Sequence, residues 1–206
     1  MITAQDALLR LRDGNRRFAR SHSDHAATDE RRRRELAGGQ EPFAVIVGCS
    51  DSRVPAEIVF DQGLGDLFVI RVAGNIMQPS QIGSVEFACS EFGTRLVVVL
   101  GHSDCGAIRT TLKVLTSPKK SQSQNIAAIV ELIRPTIEHV LQDSDTDDAD
   151  DVVERAVREN ILASAERLRT GSDLIRHLEA VEGLMIMAAE YSLKTGLVEF
   201  FEHETA

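Results

Sequence analysis

Three short apolar runs, each rich in β-branched residues and each ending in a polar or glycine-rich segment, constrain this chain more than any other feature. They are Phe43–Val47 before Gly-Cys-Ser-Asp, Leu67–Val72 before Ala-Gly-Asn, and Leu96–Leu100 before Gly-His-Ser-Asp-Cys-Gly. Runs of this length without polar alternation read as strands buried on both faces, the pattern of a parallel sheet. Between the second and third, PSQIGSVEFACSEFG sets Ile82, Val85, Cys89 and Phe92 on one helical stripe, with Phe87 on another face. Strand, helix and strand in that order imply a right-handed crossover. The expected fold class is therefore α/β, a central, mostly parallel sheet flanked by helices.

The rest of the chain fits around that core. Residues 3–20 have a helical period, with Thr3 as a cap and Gly14 as a weak interruption. Residues 21–42 read as a polar arm carrying a short helix, and 117–125 as a polar linker. Ile126–Leu141 reads as a helix that Pro135 kinks. The acidic run at 143–151 reads as a solvated loop whose last aspartates cap the next helix. It lacks the glycine and the distal glutamate of a calcium loop. Helices over 152–169 and 173–180 break near Gly171, and the end of the chain reads as a hairpin around Lys-Thr-Gly. The expectation is one domain over 1–206, with an N-terminal helical arm (1–42) and an α/β core (43–206).

Composition excludes several classes of function. A formal charge of −9 opposes general binding to nucleic acid or anionic membranes. The run Arg31–Arg34 is flanked by Asp29, Glu30 and Glu35, so it reads as a solvated helix face. No apolar stretch approaches the ~18 residues of a membrane span. The opening residues lack the pattern of a secretory signal, so a cytoplasmic protein is expected. Three cysteines in 206 residues form no disulfide framework, and their roles must be argued singly.

Two segments carry chemistry: Gly48-Cys49-Ser50-Asp51-Ser52-Arg53 and Gly101-His102-Ser103-Asp104-Cys105-Gly106. Each follows an expected strand, and in open α/β sheets ligands gather at the carboxyl ends of strands. If those strands are neighbours, Cys49, His102 and Cys105 meet. Two thiolates and one imidazole are a zinc set that leaves a fourth position open. His102 and Cys105 share the metal across a tight turn that Gly101 and Gly106 permit. The plainer alternative is a pair of inert core thiols and a hydrogen-bonded histidine. Cys89, on the apolar stripe without a ligand partner, is read as a core thiol. Asp51 either ligates the metal or accepts a hydrogen bond from its bound water, and a bidentate Arg53 would hold it off the ion. The alternative there is an ordinary ion pair.

These paired motifs resemble the signature of the β-carbonic anhydrases. The resemblance extends through Phe68, Arg71, Ala73-Gly74-Asn75 and the closing hairpin. It implies one Zn²⁺ per chain on Cys49, His102 and Cys105, with Asp51 a further ligand in a closed state. It implies Asp51 and Arg53 as the catalytic pair in the reversible hydration of CO₂ to bicarbonate by zinc-bound hydroxide. Gln40 and Phe68 match the substrate pocket of the plant-type branch, with Gly106 a further substrate-binding residue, and Phe87 stands where that branch has a tyrosine. Ile46 replaces the tryptophan of the bicarbonate-regulated branch. The resemblance also implies a homodimer or dimer-based tetramer with the pocket at the subunit interface. Two further functions remain open: carbonyl sulfide or carbon disulfide hydrolysis on the same fold, and a structural zinc protein without turnover.

Overall fold

The structure is a computed structural model that describes residues 2–24, 29–117, 123–142 and 148–201. Most of the expected linker and the acidic run at 143–147 lie outside the described residues. Five strands form one sheet: β1 (Ala44–Gly48), β2 (Leu67–Arg71), β3 (Leu96–His102), β4 (Met185–Tyr191) and β5 (Val198–Phe200). Their order is β2-β1-β3-β4-β5. The first four are parallel and β5 returns antiparallel to β4. This is the expected α/β class, closing hairpin included.

Helices cover both faces. On one side lie α1 (Ala4–Ala19) and the short α3 (Ala56–Val59), which bury Leu8, Leu11 and Val59 against Ile46, Val98 and Leu100. On the other lie α4 (Pro79–Glu91), α5 (Gly106–Thr116), α6 (Gln124–Ile137), α7 (Ala149–Thr170) and α8 (Asp173–Val181). They pack on Val45, Val47, Val97 and Val99. β1 and β3 are buried along their whole length, as their unbroken apolar runs require. β2 differs from expectation: it is the edge strand, and Phe68, Val69 and Ile70 are only half-buried.

Local rules explain most boundaries. Thr3 caps α1 by accepting from the Asp6 amide at 3.1 Å, and Asp148 caps α7 by accepting from the Asp150 amide at 2.9 Å. Helix α6 ends two residues after Pro135 and tightens into a 3-10 turn over Glu138–Leu141. The exposed helix α2 (Glu30–Leu36) holds the arginine run, where Arg34 pairs with Glu30 at 2.8 Å and Arg31 with Glu35 at 3.7 Å. A solvated face is what the flanking acids imply. Among the described residues no helix is long and apolar enough to cross a membrane.

Gly14 corrects the sequence reading. α1 runs through it unbroken, and a Cβ there would lie 1.9 Å from the Phe60 carbonyl oxygen. The glycine therefore marks a close approach between α1 and the segment after α3. Asn15 locks the same contact, donating to the carbonyls of Val59 at 3.1 Å and Gly196 at 2.9 Å. Helix propensity alone would make Gly14→Ala stabilising by about 1 kcal/mol. Overpacking against backbone should reverse that sign and cost about 1–3 kcal/mol. Thermal unfolding of Gly14→Ala checks this, and a raised Tm would contradict the packing argument.

Candidate metal centre

The chain runs from β1 outward to β2, then crosses back to β3 on the other side of β1. The carboxyl ends of β1 and β3 thus flank a switch point of the sheet, where a crevice opens. Register pairs Gly48 with Leu100, so the residues just beyond face one another. Cys49 follows β1, His102 is the last residue of β3, and Cys105 is the N-cap of α5. Their ligand atoms lie within 4.8 Å of one another, and all three residues are buried.

Each is oriented by main-chain groups. His102 Nδ1 is 2.9 Å from the Ser103 carbonyl oxygen. A carbonyl only accepts, so that nitrogen carries the proton and Nε2 presents its lone pair. Nε2 is buried without a hydrogen-bond partner. A buried polar atom in that state calls for a ligand. Cys49 Sγ accepts from the Gly74 amide at 3.4 Å. That amide is aimed by Gly74's left-handed backbone, φ 72°, and a Cβ there would meet Ile133 at 2.8 Å. Asn160 holds the Gly74 carbonyl at 2.9 Å. Cys105 sits at the α5 N-terminus, where the free amides of Ala107 and Ile108 favour a thiolate.

The two metal-site thiols interact strongly. The hydrogen bond with Cys105 pulls Cys49 well below the usual thiol range, and the same bond, together with burial, pushes Cys105 up. A divalent cation would replace the shared proton. Two thiols, an unpartnered imidazole nitrogen and full burial are the donor chemistry of zinc, and the residues present fit that ion. Cys89 contrasts with them: it is buried in α4, and burial pushes its thiol up to about 11.

Asp51 stands beside the three. Its Oδ2 is 3.8 Å from His102 Nε2. Arg53 grips it in a bidentate contact, Nε to Oδ1 at 2.9 Å and Nη2 to Oδ2 at 2.7 Å, while the Arg53 amide adds a third bond at 3.0 Å. That grip holds the Asp51 carboxyl well below the usual carboxylate range. Arg71, at the end of β2, clamps the carbonyls of Cys49 at 3.0 Å and Asp51 at 2.6 Å, fixing the loop itself.

The turn between His102 and Cys105 is built differently from expectation. Gly101 lies within β3, where a Cβ would strike Ile161 of α7 at 2.4 Å. Gly106 begins α5 with open space around it. The left-handed residue is Asp104, φ 56°. Ser103 braces the turn from β4: its amide donates to the Tyr191 carbonyl at 2.9 Å, and its hydroxyl accepts from the Leu193 amide at 2.9 Å. Sequence alone gave no sign of that brace, because it spans ninety positions.

Two of the expected pocket residues meet at the edge strand. The Phe68 ring contacts Phe87 and Phe92, with centroids 6.2 and 6.0 Å away. Phe87 is 52% exposed. Gln40 is exposed in a cleft lined by Arg10, Phe43, Phe92 and Arg95, which shares no lining residue with the metal-ligating set.

Comparison with known proteins agrees with this geometry. A family model described as Carbonic anhydrase matches residues 44–198, which include every residue of the candidate centre. Carbonic anhydrase 2 of Mycobacterium tuberculosis is 35% identical over 193 residues, covering 94% of this chain and 90% of that protein. The carbonic anhydrase of Mycolicibacterium smegmatis is 45% identical over 127 residues, covering 62% of this chain and 61% of its own. A tetrameric β-carbonic anhydrase from Sordaria macrospora superposes with a TM-score of 0.74 at 25% identity, over 84% of this chain and 87% of that one. Fold, donor set and relatives agree, and the chain belongs to the β-carbonic anhydrase family of enzymes.

Proposed function

We propose that this chain catalyses the reversible hydration of CO₂ to bicarbonate and a proton, with one zinc ion held by Cys49, His102 and Cys105. The observation that carries the reading is the unpartnered Nε2 of His102, buried between two thiols and 3.8 Å from a carboxylate that Arg53 restrains. Zinc bound there would act as a Lewis acid that brings the pKa of water towards neutrality.

The protein's own groups do the rest. Asp51 stays ionised, so it can only accept. A water that donates one O–H to Asp51 turns an oxygen lone pair away from the carboxylate and towards the carbon of CO₂. Arg53, by engaging both Asp51 oxygens, keeps the carboxylate from turning onto the metal. The water oxygen bonds to carbon, one C=O bond becomes C–O⁻, and the released proton leaves to buffer. Burial of Cys49, His102 and Cys105 excludes competing water from the donor set.

Substrate binding is proposed to need a second copy. Gln40 and the Phe68–Phe87 pair lie on exposed or half-buried surface of a single chain. Phe68 belongs to the half-buried edge strand. A neighbouring chain on this face would carry Gln40 towards a metal centre and cover the aromatic rings, so the active species is at least a homodimer. A reducing, cytoplasmic setting suits three free cysteines, two of which must stay thiolates to hold metal.

Metal content, turnover and assembly test this reading. Cys49→Ser and Cys105→Ser should each lose zinc, measured by metal analysis, because a hydroxyl is a poor substitute for thiolate. Cys89→Ser should keep it. Full occupancy in Cys105→Ser would remove the assigned centre. Asp51→Ala and Arg53→Ala should keep about one zinc per chain yet lose roughly 10²-fold or more in stopped-flow CO₂ hydration. Sulfide release from carbonyl sulfide without CO₂ hydration would reassign the substrate. Light scattering on dilute, active protein should report a dimer or larger, and a fully active monomer would refute the shared pocket.

A further inference from the structure

We propose that Asp104 and Arg109 are positioning residues: they hold Arg53 in the orientation in which it grips Asp51, and they tie that grip to the first turn of α7 through Asp150. The proposal rests on the reading of Asp51 and Arg53 given above. Asp104 lies between His102 and Cys105 but belongs to neither the metal set nor the Asp51 pair. Its left-handed backbone, φ 56°, accompanies a half-exposed carboxylate whose two oxygens face two guanidinium groups.

The contacts run in one line. Arg53 Nη2 donates to the Asp104 carbonyl oxygen at 3.4 Å, and Arg53 Nη1 stands 3.8 Å from Asp104 Oδ2. The other carboxylate oxygen, Oδ1, accepts from Arg109 Nε. Arg109 Nη2 then donates to Asp150 Oδ1 at 3.0 Å. Asp51, Arg53, Asp104, Arg109 and Asp150 thus alternate in sign from the metal centre to α7.

Asp104 and Arg109 have different roles. Arg53 is 49% exposed on a flexible side chain, and an exposed ion pair alone holds geometry weakly. Asp51 takes the Nε–Nη2 edge of the guanidinium, while the Asp104 carbonyl shares Nη2 and its carboxylate faces Nη1, so fewer Arg53 rotamers remain that release Asp51. An unrestrained Asp104 would compete with Asp51 for Arg53. Arg109 prevents this by occupying Oδ1, and Asp150 fixes Arg109 in turn. Simple capping does not explain these side chains. The Asp150 amide is already capped by Asp148, and the Arg109 amide bonds the Cys105 carbonyl at 2.9 Å. Networks of this kind gain where single surface pairs do not.

The test uses the zinc-loaded protein with Asp104→Asn and Arg109→Gln. Asparagine adopts left-handed backbone readily, so the first variant removes charge and keeps the turn. Zinc per chain should stay near one and KM should hold, while kcat falls roughly three- to tenfold. NMR of isotope-labelled arginine should show solvent exchange of the Arg53 Nε–H accelerating by a similar factor, a change that loss of general stability would not confine to Arg53. Arg109→Lys should recover part of the rate. In an Arg53→Ala background, Asp104→Asn should add less than about a twofold further loss, because its effect passes through Arg53. Unchanged Arg53 exchange in both variants, or a full multiplicative loss in the Arg53→Ala background, overturns the proposal. If the unmodified protein fails to hydrate CO₂, the reaction assignment falls instead, and the exchange measurement still decides whether Asp104 and Arg109 position Arg53.

Discussion

Parallel pairing of β1 with β3 is the constraint on which the rest of the structure depends. It brings two loops more than fifty positions apart to one end of the sheet, one carrying Cys49 and the other His102 and Cys105. Both strands are buried along their whole length, so a slip of one residue would turn every apolar side chain to the other face. The same burial that fixes the core register therefore fixes the distance between the ligand atoms. Little adjustment is left to the loops themselves.

Charge decides what the loops then do. A thiol pair with an imidazole, held in a buried crevice, favours a cation, whereas a carboxylate within 4 Å would also seek it. The geometry divides these two tendencies. The thiols and imidazole are oriented inward by Gly74, Ser103 and the α5 amides. Asp51 is turned towards Arg53, and its loop is pinned by Arg71 through carbonyls. Both arginines act on Asp51, one through its side chain and the other through its backbone.

Much of this was legible in the sequence, and the limits have physical causes. Unbroken valine-rich runs identified β1 and β3, and polar residues after them located the chemistry. β2 reads as equally buried, because an apolar run does not say whether a strand has one neighbour or two. Helix α5 is hard to see in the sequence, since it starts inside the metal motif at Gly106 and buries only Ile108, Thr111 and Leu112. Gly14 reads as a weak interruption of its helix and Gly101 as part of a tight turn, whereas each serves a close approach, to the Phe60 carbonyl and to Ile161. Nothing in a single sequence reveals which distant atom a missing Cβ makes room for. Phe68, Phe87 and Gln40 are named by resemblance alone: the first two are in ring contact, and Gln40 lies in a cleft that shares no lining residue with the metal-ligating set.

The groups that aim the ligands are nearly all main chain: the Gly74 amide on Cys49, the Ser103 carbonyl on His102, and the Cys49 and Asp51 carbonyls under Arg71. Side-chain replacement cannot delete an amide or a carbonyl. Alanine scanning would therefore find the three donors, Asp51 and the arginines, and pass over most of what sets their angles. Changes that do reach this layer act at a distance by bending the backbone, for instance at Ile133 behind Gly74 or Ile161 behind Gly101. Drift in the buried helices, more than drift in the loops, is then what would wear down the precision of the site while leaving its signature residues intact.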